Sequence, residues 1–232
     1  MDEDALWGWL DQFDAALAEG DQEAARTAWQ GARDLAGDDE PEVAYAQARL
    51  VREEDGDDEA RALFERVVEL DDTHADAHHD LALLAEARED RKAMIEHFQR
   101  VRVLDAKRDR DAKLGNAHEL AHIERVAHDV LAGLPPPWGE RLSDVPVILE
   151  RHPSKDVVAE GFDPRSIGLF EGRTHGDEDT PAPSRIVLYT CNLLAEFPKE
   201  PELSQEIEVT LLHEIGHFFG LDEDDMERLG LD

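Results

Sequence analysis

From Met1 to about Arg108, apolar residues recur three and four positions apart. Ala, Leu, Glu, Asp and Arg dominate this half, and Pro41 is its only proline. That period gives a helix one apolar face, and strand-like alternation is almost absent. The pattern predicts three helical hairpins, at roughly 3–38, 41–72 and 75–106. A helix from about Asp111 to Ala132 follows, stopped by Gly133 and the run Pro135, Pro136, Pro137. The pattern then changes. VPVILE (Val145–Glu150), SIGLFEG (Ser166–Gly172) and RIVLYTCNL (Arg185–Leu193) read as strands. The polar loop GRTHGDEDTPAPS joins the last two. SQEIEVTLLHEIGHFFGL reads as an amphipathic helix with Ser204 as its N-cap and Gly220 at its end. The fold class expected is α+β: all-α hairpins over 1–108, then a compact α/β domain over 109–232.

The helical half also repeats. Phe64, Val67, Leu70 and Asp71 return 34 residues later as Phe98, Val101, Leu104 and Asp105, and Ala48 and Leu50 return as Ala82 and Leu84. Trp29, Ala32 and Leu35 form a weaker copy 35 residues before Phe64, Val67 and Leu70. A two-helix unit of this length resembles the tetratricopeptide repeat. The small residue lets two helices approach, and the ring fills the gap between units. The usual proline after Asp71 or Asp105 is missing, and Ala44 and His78 stand where helix-A aromatics are usual. Such hairpins stack because no single pair buries its apolar face alone, and the stack leaves a concave surface for a peptide or protein.

Charge narrows the set of partners. The chain has 57 acids against 24 bases, a formal net charge of −33. Nucleic acid and anionic membrane surfaces are disfavoured, because both need a basic face. A basic peptide or protein suits the field better. Residues 105–113, DAKRDRDAK, read as a solvated helix or linker. The one cysteine, Cys191, allows no internal disulfide. The acidic start MDEDALWGWLDQF does not look like a leader, and no apolar run is long enough for a membrane span. A cytoplasmic protein is expected.

The chemistry concentrates in TLLHEIGHFFGLDEDD. His213, Glu214 and His217 form HExxH. Four residues advance a helix by about 400°, so His213 and His217 point the same way one turn apart and can share a Zn2+ ion. Glu214 sits beside the first ligand, placed to act on a zinc-activated water as general base. A catalytic zinc needs a third protein ligand. Gly220 can turn the chain back, which puts Glu223 ten residues after His213, at the third-ligand position of the extended motif. Asp222 is the alternative, one residue out of register.

A second HExxH complicates the reading. His118, Glu119 and His122 have the same spacing, with His128 ten after His118. Here Arg125 replaces the glycine inside an uninterrupted helical pattern. His128 would lie about 15 Å along the axis from His118 and could not share its metal. The later copy is the expected metal site.

From about Ala121 to Leu229 the chain resembles the bacterial minimal-zincin family of zinc metallopeptidases. The resemblance rests on Leu134-Pro135, the strand VPVILERHP, Gly168-Leu169-Phe170-Glu171-Gly172, the strand Arg185 to Tyr189, HEIGHFFG and the tail Leu229-Gly230. It implies a compact zincin core, His213, His217 and an acidic residue as zinc ligands, and Glu214 as catalytic acid/base. The family commonly has Asp at the third-ligand position, where this chain has Glu223.

The expected function is therefore zinc-dependent hydrolysis of peptide bonds, with the helical repeats binding a protein partner or substrate. The alternative is a zinc-binding tetratricopeptide-type adaptor that catalyses nothing. Of the other residues with possible chemistry, Tyr189 and His175 are candidates for oxyanion stabilisation. Met226 is expected in core or surface packing. His74, His78 and His79 are expected to face solvent, and Cys191 to be buried at a strand end.

Overall fold

The computed structural model describes residues 2–172 and 184–229, with the side chains of Pro137, Glu223, Glu227 and Leu229 outside that description. Most of the Gly- and Pro-bearing loop, His175 included, also lies outside the described residues. The chain divides into two compact units, Met1–Leu104 with Ala159–Gly161, and Asp105–Val158 with Phe162–Asp232.

The first unit is helical: α1 (Glu3–Ala18), α2 (Gln22–Ala36), α3 (Pro41–Asp55), α4 (Asp57–Leu70), α5 (Ala75–Ala87) and the first turns of α6 (Arg91–Asp111). Asp2 and Asp21 cap α1 and α2 by accepting from the Ala5 and Ala24 amides. Pro41 opens α3, where a missing N–H costs nothing. From α1 through α5, consecutive helices pack on one another. Most of the repeated positions lie in the core: Ala48, Ala82, Phe64, Phe98, Val67 and Val101 are all buried, whereas Leu70 and Leu35 are exposed. Asp80 is buried too, and is compensated by the Tyr45 hydroxyl at 2.8 Å and Arg52 at 2.6 Å. Burial, then the Asp80 charge, pushes the Tyr45 hydroxyl pKa upward.

The histidines of this unit differ from expectation. His74 is buried and caps α5 through Nδ1, accepting from the Ala77 amide at 3.1 Å. His78 and His97 meet Nδ1 to Nδ1 at 2.9 Å, and the His79 ring lies 5.8 Å from that of Phe98. These contacts turn His78 and His79 of α5 toward α6 rather than toward solvent.

The second unit begins within α6. The stretch Asp105–Lys113 is not simply solvated, because Asp105 and Asp109 are buried and turned inward. The helix expected from Asp111 is broken. Lys113 and Gly115 take positive φ, and α7 (Ala117–Gly133) restarts at the Asn116 cap. The proline run stops α7 but also opens a short α8 (Pro136–Leu142). The sheet order is β1-β3-β2, formed by β1 (Val147–Glu150), β2 (Gly168–Glu171) and β3 (Arg185–Tyr189). Central β3 runs parallel to β1, with Ile186 opposite Val147, and antiparallel to β2, with Val187 opposite Leu169. The short α9 (Lys155–Ala159) follows β1.

The third strand is shorter than predicted. After Tyr189 the chain enters α10 (Thr190–Glu196), so Cys191 lies in a helical first turn. The next helix, α11 (Glu200–Phe218), starts four residues before Ser204, with Lys199 as N-cap and proline in the first turn. Ser204 Oγ instead donates to the Glu200 carbonyl. Leu203, Ile207, Leu211, Ile215 and Phe218 of α11 are buried with Ile123 and Val126 of α7 and Ile186 and Leu188 of β3. This apolar stripe fixes the rotation of α11, and with it the direction of its opposite edge. The last helix is α12 (Glu223–Leu229). Among the described residues, no helix is long and apolar enough to cross a membrane.

Candidate active site

Near the C-terminal end of α11, His213 and His217 stand one turn apart. Their Nε2 atoms are 3.1 Å from each other and their rings are nearly perpendicular. Two Zn–N bonds of about 2.0–2.1 Å in tetrahedral geometry set their nitrogens ~3.3 Å apart, so the pair fits one zinc ion. The partial negative charge at a helix C-terminus also favours a cation there.

Glu214 points to the neighbouring strand and is only 7% exposed. Its carboxylate lies against the backbone of Gly168 at the start of β2. A Cβ on that residue would stand 2.8 Å from Glu214 Oε1 and 2.6 Å from Thr210 Cγ2. A methyl group there would force both side chains to shift, so glycine leaves room for the approach of the helix. The three motif residues line a cleft of about 710 Å³ together with Phe162, Leu169, Phe170 and Leu221.

The turn after the helix is equally determined. Gly220 has φ +79°, and its amide donates to the His217 carbonyl while that of Leu221 reaches back to Gly216. This is a Schellman ending, with glycine in the left-handed position. Asp222 then caps α12 through Oδ1, accepting from the Asp225 amide at 2.9 Å. Glu223 is the first residue of α12, and its side chain falls outside the described residues. Met226 is fully buried against Gly216, where a Cβ would collide with its sulfur. It is a packing residue that holds α12 beneath α11.

Residues 142–231 match the family model of zincin-like metallopeptidases. A search of curated proteins finds no match to the chain. The zincin-like segment contains both α11 histidines, Glu214 and the following turn. It begins later than the resemblance read from the sequence, which started near Ala121.

The earlier HExxH copy has other work. Glu119 is the acidic member of a capping box: its carboxylate accepts from the Gly115 and Asn116 amides at 2.7 and 2.9 Å, while Asn116 accepts from those of His118 and Glu119. His122 Nε2 meets Ser204 Oγ at 2.9 Å, and His118 is exposed. His128 is exposed as well, beside Asp129.

Tyr189 is buried in the sheet beside the Phe162 ring. Burial, followed by the charges of Glu150 and Glu171, raises its hydroxyl pKa. Thr210 and Phe162 carry no signal in the sequence, whereas Gly168 stands in the Gly-Leu-Phe-Glu-Gly segment on which the resemblance rests.

Proposed function

We propose that residues 109–232 form a zinc-dependent metallopeptidase domain, hydrolysing peptide bonds in the cleft between α11 and β2. The observation that carries this is the convergence of His213 and His217 Nε2 at 3.1 Å beside the buried Glu214. His213 and His217 would hold the ion, with Glu223 as third ligand and Asp222 as the alternative. When bound, zinc supplies a Lewis acid that polarises a scissile carbonyl and acidifies water.

The remaining chemistry belongs to the chain. Glu214 takes the proton of the attacking water on its carboxylate and hands it to the leaving amine. Gly168 leaves room for that carboxylate beside β2. Among the described residues, the sheet order leaves one side of β2 as an edge, which would offer backbone groups to an extended peptide. Leu169, Phe170, Phe162 and Leu221 would receive apolar side chains of the substrate. The strongly negative chain favours basic segments around them.

Residues 1–108 would form a tetratricopeptide-like stack that binds the protein substrate or a partner. The burial of Ala48, Phe64 and Val67, and of their counterparts Ala82, Phe98 and Val101, supports this.

Digestion of a peptide library tests the reading. Cleavage should be abolished by a chelator and by Glu214→Gln, with the metal content of that variant unchanged. Retained zinc without any cleavage by the wild type would leave the adaptor reading instead.

A further inference from the structure

The second unit brings together three side chains from separate segments: Asp109 near the end of α6, His152 just after β1, and Cys191 in α10. A carboxylate oxygen, a ring nitrogen and the sulfur all lie within 4.8 Å of one another. Asp109 is 1% exposed and Cys191 fully buried, and the His152 side chain is 11% exposed.

The hydrogen bonds around them define the protons. Asn192 Nδ2 donates to the carbonyls of Pro164 at 2.8 Å and Ser166 at 2.7 Å, which uses both amide hydrogens and fixes the side chain. Its Oδ1 then faces His152 Nδ1 at 3.2 Å, so that nitrogen must carry the proton. In the neutral ring Nε2 is a bare lone pair. It faces Asp109 Oδ2 at 3.8 Å. That oxygen is buried and has no hydrogen-bond partner among the described residues, whereas Oδ1 accepts from Arg108 Nε at 2.9 Å. Two acceptors thus confront each other across a buried gap, with a thiol beside them. A buried acceptor left unpaired is costly, and a cation satisfies both at once.

We propose that Asp109, His152 and Cys191 form a second metal site, distinct from the α11 histidines, for a divalent transition ion with zinc the best match. Nitrogen, sulfur and carboxylate oxygen are the zinc donor set. Tetrahedral zinc with usual bond lengths sets its ligands ~3.3–3.6 Å apart, so the separations contract by about 1.5 Å at most. The outer contacts are already those of a metal site: Asn192 orients the imidazole and Arg108 holds the carboxylate. Cys191 would bind as the thiolate, so binding releases the thiol proton. Three ligands leave the fourth position to water. The ion would tie the end of α6, the end of β1 and the start of α10 together, a structural role in keeping with the burial.

Cobalt substitution in the full chain tests this. Cys191 is the only cysteine, so a thiolate-to-cobalt charge-transfer band in the near ultraviolet reports on this site alone. The band should saturate at one thiolate-bound cobalt per chain in the wild type. It should vanish in Cys191→Ser, weaken in Asp109→Asn and persist in His213→Ala. Absence of the band from metal-saturated wild type would overturn the proposal without any variant, and so would its survival in Cys191→Ser.

Discussion

Met226 packs its sulfur onto the bare Cα of Gly216, two residues after Glu214 in the motif. This contact seats α12 beneath α11, and the Schellman turn at Gly220 makes the return possible. The chain after the histidines is therefore directed back by packing as well as by the turn. Gly216→Ala should destabilise the protein by about 1–3 kcal/mol through overpacking. Met226→Ala should cost about 2–5 kcal/mol. In urea unfolding the double variant should lose less than the sum, by more than about 0.5 kcal/mol. Strict additivity would show that the two residues do not press on each other.

Gly168 has a different part, since it makes room for the Glu214 carboxylate. Gly168→Ala displaces that group while leaving the histidines alone. Peptide hydrolysis should fall about 100-fold, the scale of an ångström-level misplacement, with zinc content unchanged. Equal activity in the two proteins would remove Gly168 from the positioning of Glu214.

Glu119 provides the internal control for the motif. Glu119→Ala removes one side of the α7 capping box and should cost about 1 kcal/mol of stability. Hydrolysis and zinc content should stay at wild-type levels. A loss of either, measured on folded protein, would give the first HExxH a chemical role.

The His78–His97 contact links stability to pH. Burial lowers both pKa values below the ordinary histidine value. Their contribution is intact above the unfolded pKa of about 6.5 and is lost as pH falls below it, because the unfolded chain takes up protons that the folded one refuses. His74 shifts the other way: burial lowers its pKa, but Glu42 outweighs that and raises it. The test therefore compares proteins that both keep His74. Between about pH 7.5 and about pH 5.5, the thermal midpoint should drop further in the wild type than in His97→Gln. Parallel drops would mean that the pair contributes nothing to acid sensitivity.

Features set by neighbours along the chain were legible in the sequence. The HExxH spacing needs only helical geometry, and Gly220 announces the helix end. The misreadings arise where local patterns are ambiguous. The run TCNL is apolar and short, so strand and buried helix look alike, and α10 was read as an extension of β3. Ser204 resembles an N-cap, yet Pro201 in the first turn and the acids Glu200 and Glu202 start α11 earlier. Asn116 and Glu119 carried a capping-box signal that the metal motif overlapping it obscured. Tertiary meetings were not legible at all. Asp109, His152 and Cys191 come from three segments, and nothing in their spacing foretells that they meet. The rotation of Glu214 toward Gly168 likewise follows from how α11 packs on the core.

The central claim is that the two α11 histidines hold zinc. Zinc per chain, measured by elemental analysis after exhaustive dialysis of the folded proteins, tests it most directly. The His213→Ala/His217→Ala double variant should carry one zinc fewer than the wild type. Equal zinc in the two proteins would contradict the account.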